Sequence, residues 1–175
     1  MVSDDVLKCI YNRRSIRSFL PRQLEPWKEE ELLKAANSAP SAGNLQARFF
    51  YVVKNPEAKS NLSRAAYGQY FIENAPLVFV ACSDSVASLK RYGRRGETLY
   101  ALQDATASIQ NILLAATALD LGSCWVGAFD EEEVREILSI PKHLRPIALI
   151  PVGYSNDKPL GTSRKSLGEI AKVMI

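Results

Sequence analysis

The sequence predicts an α+β or mixed α/β fold, with helical and extended segments layered around a single β-sheet of about four strands. Three observations point there. Short apolar runs rich in aromatic and β-branched residues, such as FFYVV and LVFVAC, are bounded by Pro and Asn. Segments of helical periodicity fall between them in a mixed order rather than a regular alternation. One stretch, residues 98–119, has no Pro or Gly and reads as a long central helix. With 175 residues, 47% of them hydrophobic, the chain holds one domain with a real core and has no room for a second of full size, so 1–175 is read as one unit.

At the amino terminus, Ser3 is placed to cap a first helix with Asp4 and Asp5 in its opening turn. Val6, Leu7, Ile10 and Tyr11 give that helix an apolar face, and its end delivers Arg13. Pro26 opens a second helix, which runs through Leu32, Leu33, Ala35 and Ala36 until Pro40 stops it. Ser41-Ala42-Gly43-Asn44 then reads as an irregular loop. Residues 49–53 and 77–82 are expected to be strands, both largely buried. Between them, Asn55-Pro56 starts a helix through Ala58, Leu62 and Ala65 that ends near Gly68.

Residues 83–96 are polar and contain glycine, which suggests a loop or a short irregular helix. The 98–119 helix, about 33 Å long at 1.5 Å per residue, carries Leu99, Leu102, Ile109, Leu113 and Ala116 on one face. Alanines on its other faces predict burial nearly all round and a close partner helix, which a subunit interface would supply. After Asp120-Leu121-Gly122, residues 124–127 read as a further short strand, and 147–152 as another buried one. Asp130 with Glu133, and Ser166 with Glu169, have capping-box spacing for two more helices. Residues 153–163 form a polar loop.

Charge and cysteine content exclude several classes. A net charge of +3 is too small to imply nucleic-acid binding, although the cations cluster at Arg13-Arg14-x-x-Arg17, between Arg91 and Arg95, and at Arg164-Lys165. Three cysteines without CxxC spacing argue against a disulfide framework or structural zinc, and for a reducing compartment. The start of the chain lacks a secretion signal, and no apolar run approaches the ~20 residues of a membrane span, so a soluble cytoplasmic protein is expected.

Three segments could carry chemistry. Arg13-Arg14-Ser15-Ile16-Arg17 suits a phosphate, because guanidinium binds phosphate oxygens bidentately; taken alone, a solvated helix end explains it as well. Pro40-Ser41-Ala42-Gly43-Asn44-Leu45-Gln46 offers amide donors and acceptors for the edge of a heteroaromatic ring, or is simply a turn. Gly122-Ser123-Cys124-Trp125-Val126-Gly127-Ala128-Phe129 would let a planar ligand lie against bare backbone, or is a buried strand with a glycine bulge. His143, the single histidine, sits between prolines in a segment that reads as a surface turn, so neither a catalytic triad nor a metal site is supported. No GxGxxG, P-loop or GxSxG motif occurs.

Together and in this order, the RRSIR start, the PSAGNxQ loop, the helix with Asp104 and Asn111, the GSCWVGAF segment and the PVGY segment resemble the nitroreductase family of flavoproteins over nearly the whole chain. That resemblance implies a mixed, mainly antiparallel sheet of four to five strands flanked by helices, in a homodimer with shared active sites and FMN as cofactor. It implies that Arg13 and Ser15 hold the FMN phosphate, with Arg14 contacting the phosphate and ribityl region partly through its backbone. Arg17 falls near flavin N1 and O2, where a cation stabilises reduced flavin. Gln69 matches an amide at the ring's pyrimidine edge, and Pro40, Ser41, Ala42 and Asn44 a loop reaching the flavin from the other subunit. Gly127 and Ala128 match backbone against the ring and N5, with Trp125 and Val126 helping to form that wall. Arg164 matches a carboxy-terminal phosphate ligand. Thr162 stands where a second cation is common, which leaves Lys165 as a candidate substitute.

The implied reaction has two half-reactions at one site. NADH or NADPH gives a hydride to flavin N5, and a nitroaromatic, quinone or similar electron-poor acceptor then takes the same place. No side-chain catalyst and no metal is required. The alternatives are a non-catalytic flavin-binding protein, or a dehalogenating or flavin-fragmenting enzyme on the same fold.

Overall fold

The computed structural model describes residues 4–174, so the expected Ser3 cap lies outside the described residues. Eight α-helices are described: α1 (Asp4–Asn12), α2 (Pro26–Asn37), α3 (Pro56–Ala65), α4 (Phe71–Asn74), α5 (Ser85–Arg95), α6 (Ala101–Ala118), α7 (Glu131–Leu138) and α8 (Leu167–Ile170). Four strands join them: β1 (Arg48–Val53), β2 (Leu77–Asp84), β3 (Gly122–Ser123) and β4 (Leu144–Gly153). Helix starts follow local chemistry. Pro26 and Pro56 sit in first turns, the Asn55 side chain accepts from Ala58 N–H, and Asp130 accepts from both Glu132 and Glu133 N–H. The reciprocal capping box forms at Ser166 and Glu169.

The strands lie in the order β1-β2-β4-β3, each paired antiparallel with its neighbour. β2 is buried throughout except at its last residue, and its period of two divides the core. Val78, Val80 and Cys82 pack with Leu149 against Leu62 of α3, Ile72 of α4 and Val134 of α7. Leu77, Phe79 and Ala81 pack with Ala148, Ile150 and Val152 against Leu32 of α2 and Ile109, Ile112 and Ala116 of α6. Each such buried Leu, Ile, Val or Phe is worth about 1.5–3 kcal/mol, so the sheet is held from both faces.

Three expectations need correction, and the alternatives left open for residues 83–96 resolve to the irregular helix. β1 is an edge strand rather than a buried one: Phe49 and Val52 are 48% and 38% exposed. Residues 85–95 form a helix, because Asp84 accepts from Ala87 N–H as its cap; the irregularity is confined to Gly93, at φ 58°, and to a π turn at Gly96–Tyr100. The long helix therefore begins at Ala101, and one face, with Leu102, Gln103, Thr106 and Gln110, is exposed in the single chain. Residues 124–127 are not a continuous strand: β3 is Gly122–Ser123, followed by an isolated bridge from Val126 to Leu149.

Candidate functional site

The basic segment leaving α1 is stitched to the sheet beside β3. Ser15 bridges Ser123 in parallel, and Ile16 N–H donates to the Ser123 carbonyl at 2.9 Å. Gly122 makes this approach feasible, since a Cβ there would lie 2.7 Å from Ile16 Cγ2. With Ile16 anchored in the core at 8% exposure, extended alternation sends neighbouring side chains to two sides. Ser15 and Arg17 face a cavity of about 420 Å³ shared with Asp157, Lys158 and Pro159, whereas Arg14 faces one of about 730 Å³ that also reaches Asp157–Pro159.

Arg14 folds back on α1, donating from Nη1 to the carbonyls of Tyr11 at 2.6 Å and Arg13 at 2.9 Å, so it caps the helix end. Beneath the segment lies the buried Cys124. Burial pushes its thiol pKa up, and Arg17, the Ser15 hydroxyl and Arg13 pull it back down. The tail passes the same place: a side chain at Gly161 would stand 3.0 Å from Arg14 Nη2. Arg164, three residues on, donates to Thr162 Oγ1 at 2.7 Å.

From Cys124 the chain runs along β4 with alternate residues outward. Val126 is 3% exposed, and its N–H and carbonyl are both taken by Leu149, at 2.9 and 3.0 Å. Trp125, Gly127 and Ala128 face outward. Among the described residues neither Gly127 nor Ala128 N–H has a protein acceptor, and only Trp125 Nε1, at 3.8 Å, stands near the place of a Gly127 side chain. The Ala128 carbonyl accepts from Gln69 Nε2 at 3.0 Å, and the same amide nitrogen donates to Ala66 O at 3.0 Å. Both Gln69 donors are thereby held, and its oxygen is left to accept. Arg17 closes the group, its guanidinium 6.0 Å from the centre of the Phe71 ring.

The 40–46 loop lies elsewhere in the single chain. Asp104, 4% exposed, accepts from Ala42 N–H at 2.9 Å and Ala47 N–H at 3.4 Å, while Ser41 Oγ accepts from Gln46 N–H at 3.0 Å. Asn44 and Gln46 take positive φ, and Gly43 is pinned by Arg91 and Tyr92. No hydrogen bond joins this loop to Arg13, Gln69 or the 124–128 segment among the described residues.

The fold thus gathers Arg13, Arg14, Ser15 and Arg17 with Trp125, Gly127, Ala128 and Gln69, carries Arg164 on the adjoining tail, and leaves Pro40, Ser41, Ala42 and Asn44 apart. Sequence reasoning missed Asp157 and Lys158 at the site, and it gave Cys124, inside the glycine segment, no role of its own. Lys158 had no readable signal, because only the return of the tail over Ser15 brings it there. Among the described residues no group of three or more His, Cys, Asp or Glu side chains could hold a metal ion, and no helix is long and apolar enough to cross a membrane. Cations beside unpaired backbone N–H donors and an amide oxygen can hold a ligand with an anionic end and a planar polar ring.

Comparison with known proteins agrees with that chemistry. The model of the Nitroreductase family matches residues 10–154. A protein of Archaeoglobus fulgidus named NADH dehydrogenase/NAD(P)H nitroreductase is 39% identical over 89% of this chain and 88% of its own length. The Bacillus subtilis FMN reductase (NADPH) is 31% identical, over 89% of this chain and 70% of its own. A crystal structure from Parabacteroides distasonis, with the same description as the Archaeoglobus protein, superposes with a TM-score of 0.84 at 26% identity, covering 95% of this chain and 96% of that one.

Proposed function

This chain belongs to the nitroreductase family, and on that premise we propose that it is an FMN-dependent oxidoreductase that takes reducing equivalents from NADH or NADPH and passes them to nitroaromatics, quinones or similar electron-poor acceptors. The observation that carries the reading is the pair of unsatisfied N–H groups at Gly127 and Ala128, held beside Gln69 on the same segment that seats the arginines. From Ser123 to Ala128 the chain spans at most about 17 Å at strand rise, a reach that suits one cofactor with its phosphate at one end and its ring at the other.

Bound FMN supplies the hydride chemistry at its N5, and the residues supply binding, orientation and charge. Arg13, Ser15 and Lys158 hold the phosphate, joined by Arg164 from the tail, and Arg14 adds its remaining donors. Arg17 sets a fixed positive charge where the reduced ring gathers negative charge. The Gly127 and Ala128 N–H groups donate to the ring edge, and Gln69 accepts from a ring N–H through its free oxygen. Trp125 walls one side. Val126 supports that wall from the core, since its backbone and side chain are both committed.

The loop with Pro40, Ser41, Ala42 and Asn44 completes the site of a second copy, so the working form is a homodimer. Purification under non-denaturing conditions followed by anaerobic addition of NADH or NADPH tests the whole reading. The expected result is a yellow protein bleached by at least one donor and reoxidised by an acceptor such as a quinone. A colourless protein that takes up no added FMN would remove the proposal.

A further inference from the structure

We propose that the cleft at the opposite end of the sheet is a second anion site, taking a small hydroxylated phosphate ester. It does not rest on the flavin reading. The cleft, about 560 Å³, opens where β2 meets the start of β4, with Ser83 paired to Arg145. Gly153, at the other end of β4, pairs with Gly122 beside the basic segment, about 26 Å away at strand rise. The two sites are therefore separate.

Half of the charged side chains lining the cleft are committed to building it. Arg145 and Glu131 form a bidentate pair at 2.8 and 2.6 Å, which neutralises both. Arg135 uses Nη1 on the carbonyls of Ile140, Pro141 and Leu144, at 3.3, 3.0 and 2.8 Å, and so braces the turn that carries Lys142. Three charged side chains lining the cavity are left without an ion pair or hydrogen bond among the described residues: Arg94 at the end of α5, Lys142 on the braced turn, and Glu97 on the π turn. The Ser83 hydroxyl, on a residue only 5% exposed, lines the same space and likewise has no protein partner among the described residues.

Two cations from independent elements and a hydroxyl surround an anion from several directions, which suits a tetrahedral phosphate better than a planar carboxylate gripped by one fork. The volume exceeds what phosphate alone fills and lies in the range of small-molecule sites. Glu97 offers an acceptor to a hydroxyl on the organic part.

The test is calorimetric titration of FMN-loaded protein with ribose 5-phosphate at fixed ionic strength, with citrate as a second probe. Saturable binding at one site per chain is expected, weakened at least tenfold by Arg94→Ala and by Lys142→Ala, with flavin content, flavin reduction and melting temperature unchanged in both. Absence of saturable binding overturns the proposal, as does binding that both variants retain or that Arg13→Ala alone abolishes. Equal or tighter binding of citrate overturns the phosphate assignment.

Discussion

In the proposed site Arg13 and Gly127 stand at the two ends and would contribute in opposite ways, one by what its side chain adds and one by having none. Loss of a charge-assisted phosphate contact in Arg13→Ala should weaken FMN by about 1.5–3 kcal/mol, roughly ten- to hundredfold by equilibrium dialysis; unchanged affinity would take Arg13 out of the site. Gly127→Val separates binding from folding more sharply. Only Trp125 Nε1 lies near a Cβ at that position, and the residue has no positive φ to strain, so thermal unfolding of the apoprotein should match the parent. The new side chain would nonetheless keep a flat ring from the Gly127 and Ala128 N–H groups, and FMN retention should fall at least tenfold. Normal flavin content in that variant would show that the ring lies elsewhere.

At the scale of elements, the 40–47 loop depends on α6 through one carboxylate. Asp104→Asn replaces one accepting oxygen with an amide nitrogen that faces a backbone donor, and it removes the charge opposite Arg48, whose pKa burial lowers and Asp104 raises. A loss of about 1.5–3 kcal/mol is expected in urea unfolding; a change under 0.5 kcal/mol would mean the loop holds itself. A second tie joins the start of α2 to the end of β4. There Glu25 accepts from the Tyr154 hydroxyl, its own backbone N–H and Arg22, which together lower its pKa from 4.5 to about 2. A depressed folded-state pKa means that this stabilisation is present above about 4.5 and is lost as pH falls towards 2. Tyr154→Phe should flatten the stability profile in that window, and an unaltered acid limb would rule the contact out. These ties differ in how readable they were. Caps at Asn55, Asp130 and Ser166, and the alternation in β2, are local and could be read directly. The exposure of β1 depends on its pairing with β2 alone among the described strands, and Asp104 reaches its partners across about sixty residues of chain. In the proposed site, RRSIR and the glycine segment, Cys124 included, announced themselves by composition, whereas Lys158 joined them only through the fold.

For the whole molecule, the decisive question is what covers the apolar side of α1 and α6. Val6, Ile10 and Tyr11 are 60%, 44% and 68% exposed, and Val6 joins Cys9, Ala35, Leu114, Ala115 and Ala118, together with Asp5 and Asn111, in framing a largely apolar groove of about 310 Å³. A contiguous apolar patch of this kind marks an interaction surface, and the proposed site gives a reason for the partner to be a second copy: among the described residues, the loop with Asn44 makes no hydrogen bond to the residues it is proposed to join. Dimerisation and flavin retention should therefore be linked. In sedimentation velocity the parent should be a dimer, and the pair Val6→Asp with Ile10→Asp should shift it to monomer, because desolvating two unpaired carboxylates costs several kcal/mol. The monomer should keep its helical circular dichroism, since both side chains point away from the two core clusters. It should lose most of its FMN although Arg13 and Gly127 are untouched. A monomeric variant that stays fully yellow would show that each chain holds its flavin alone, and the 40–46 loop would then need another role.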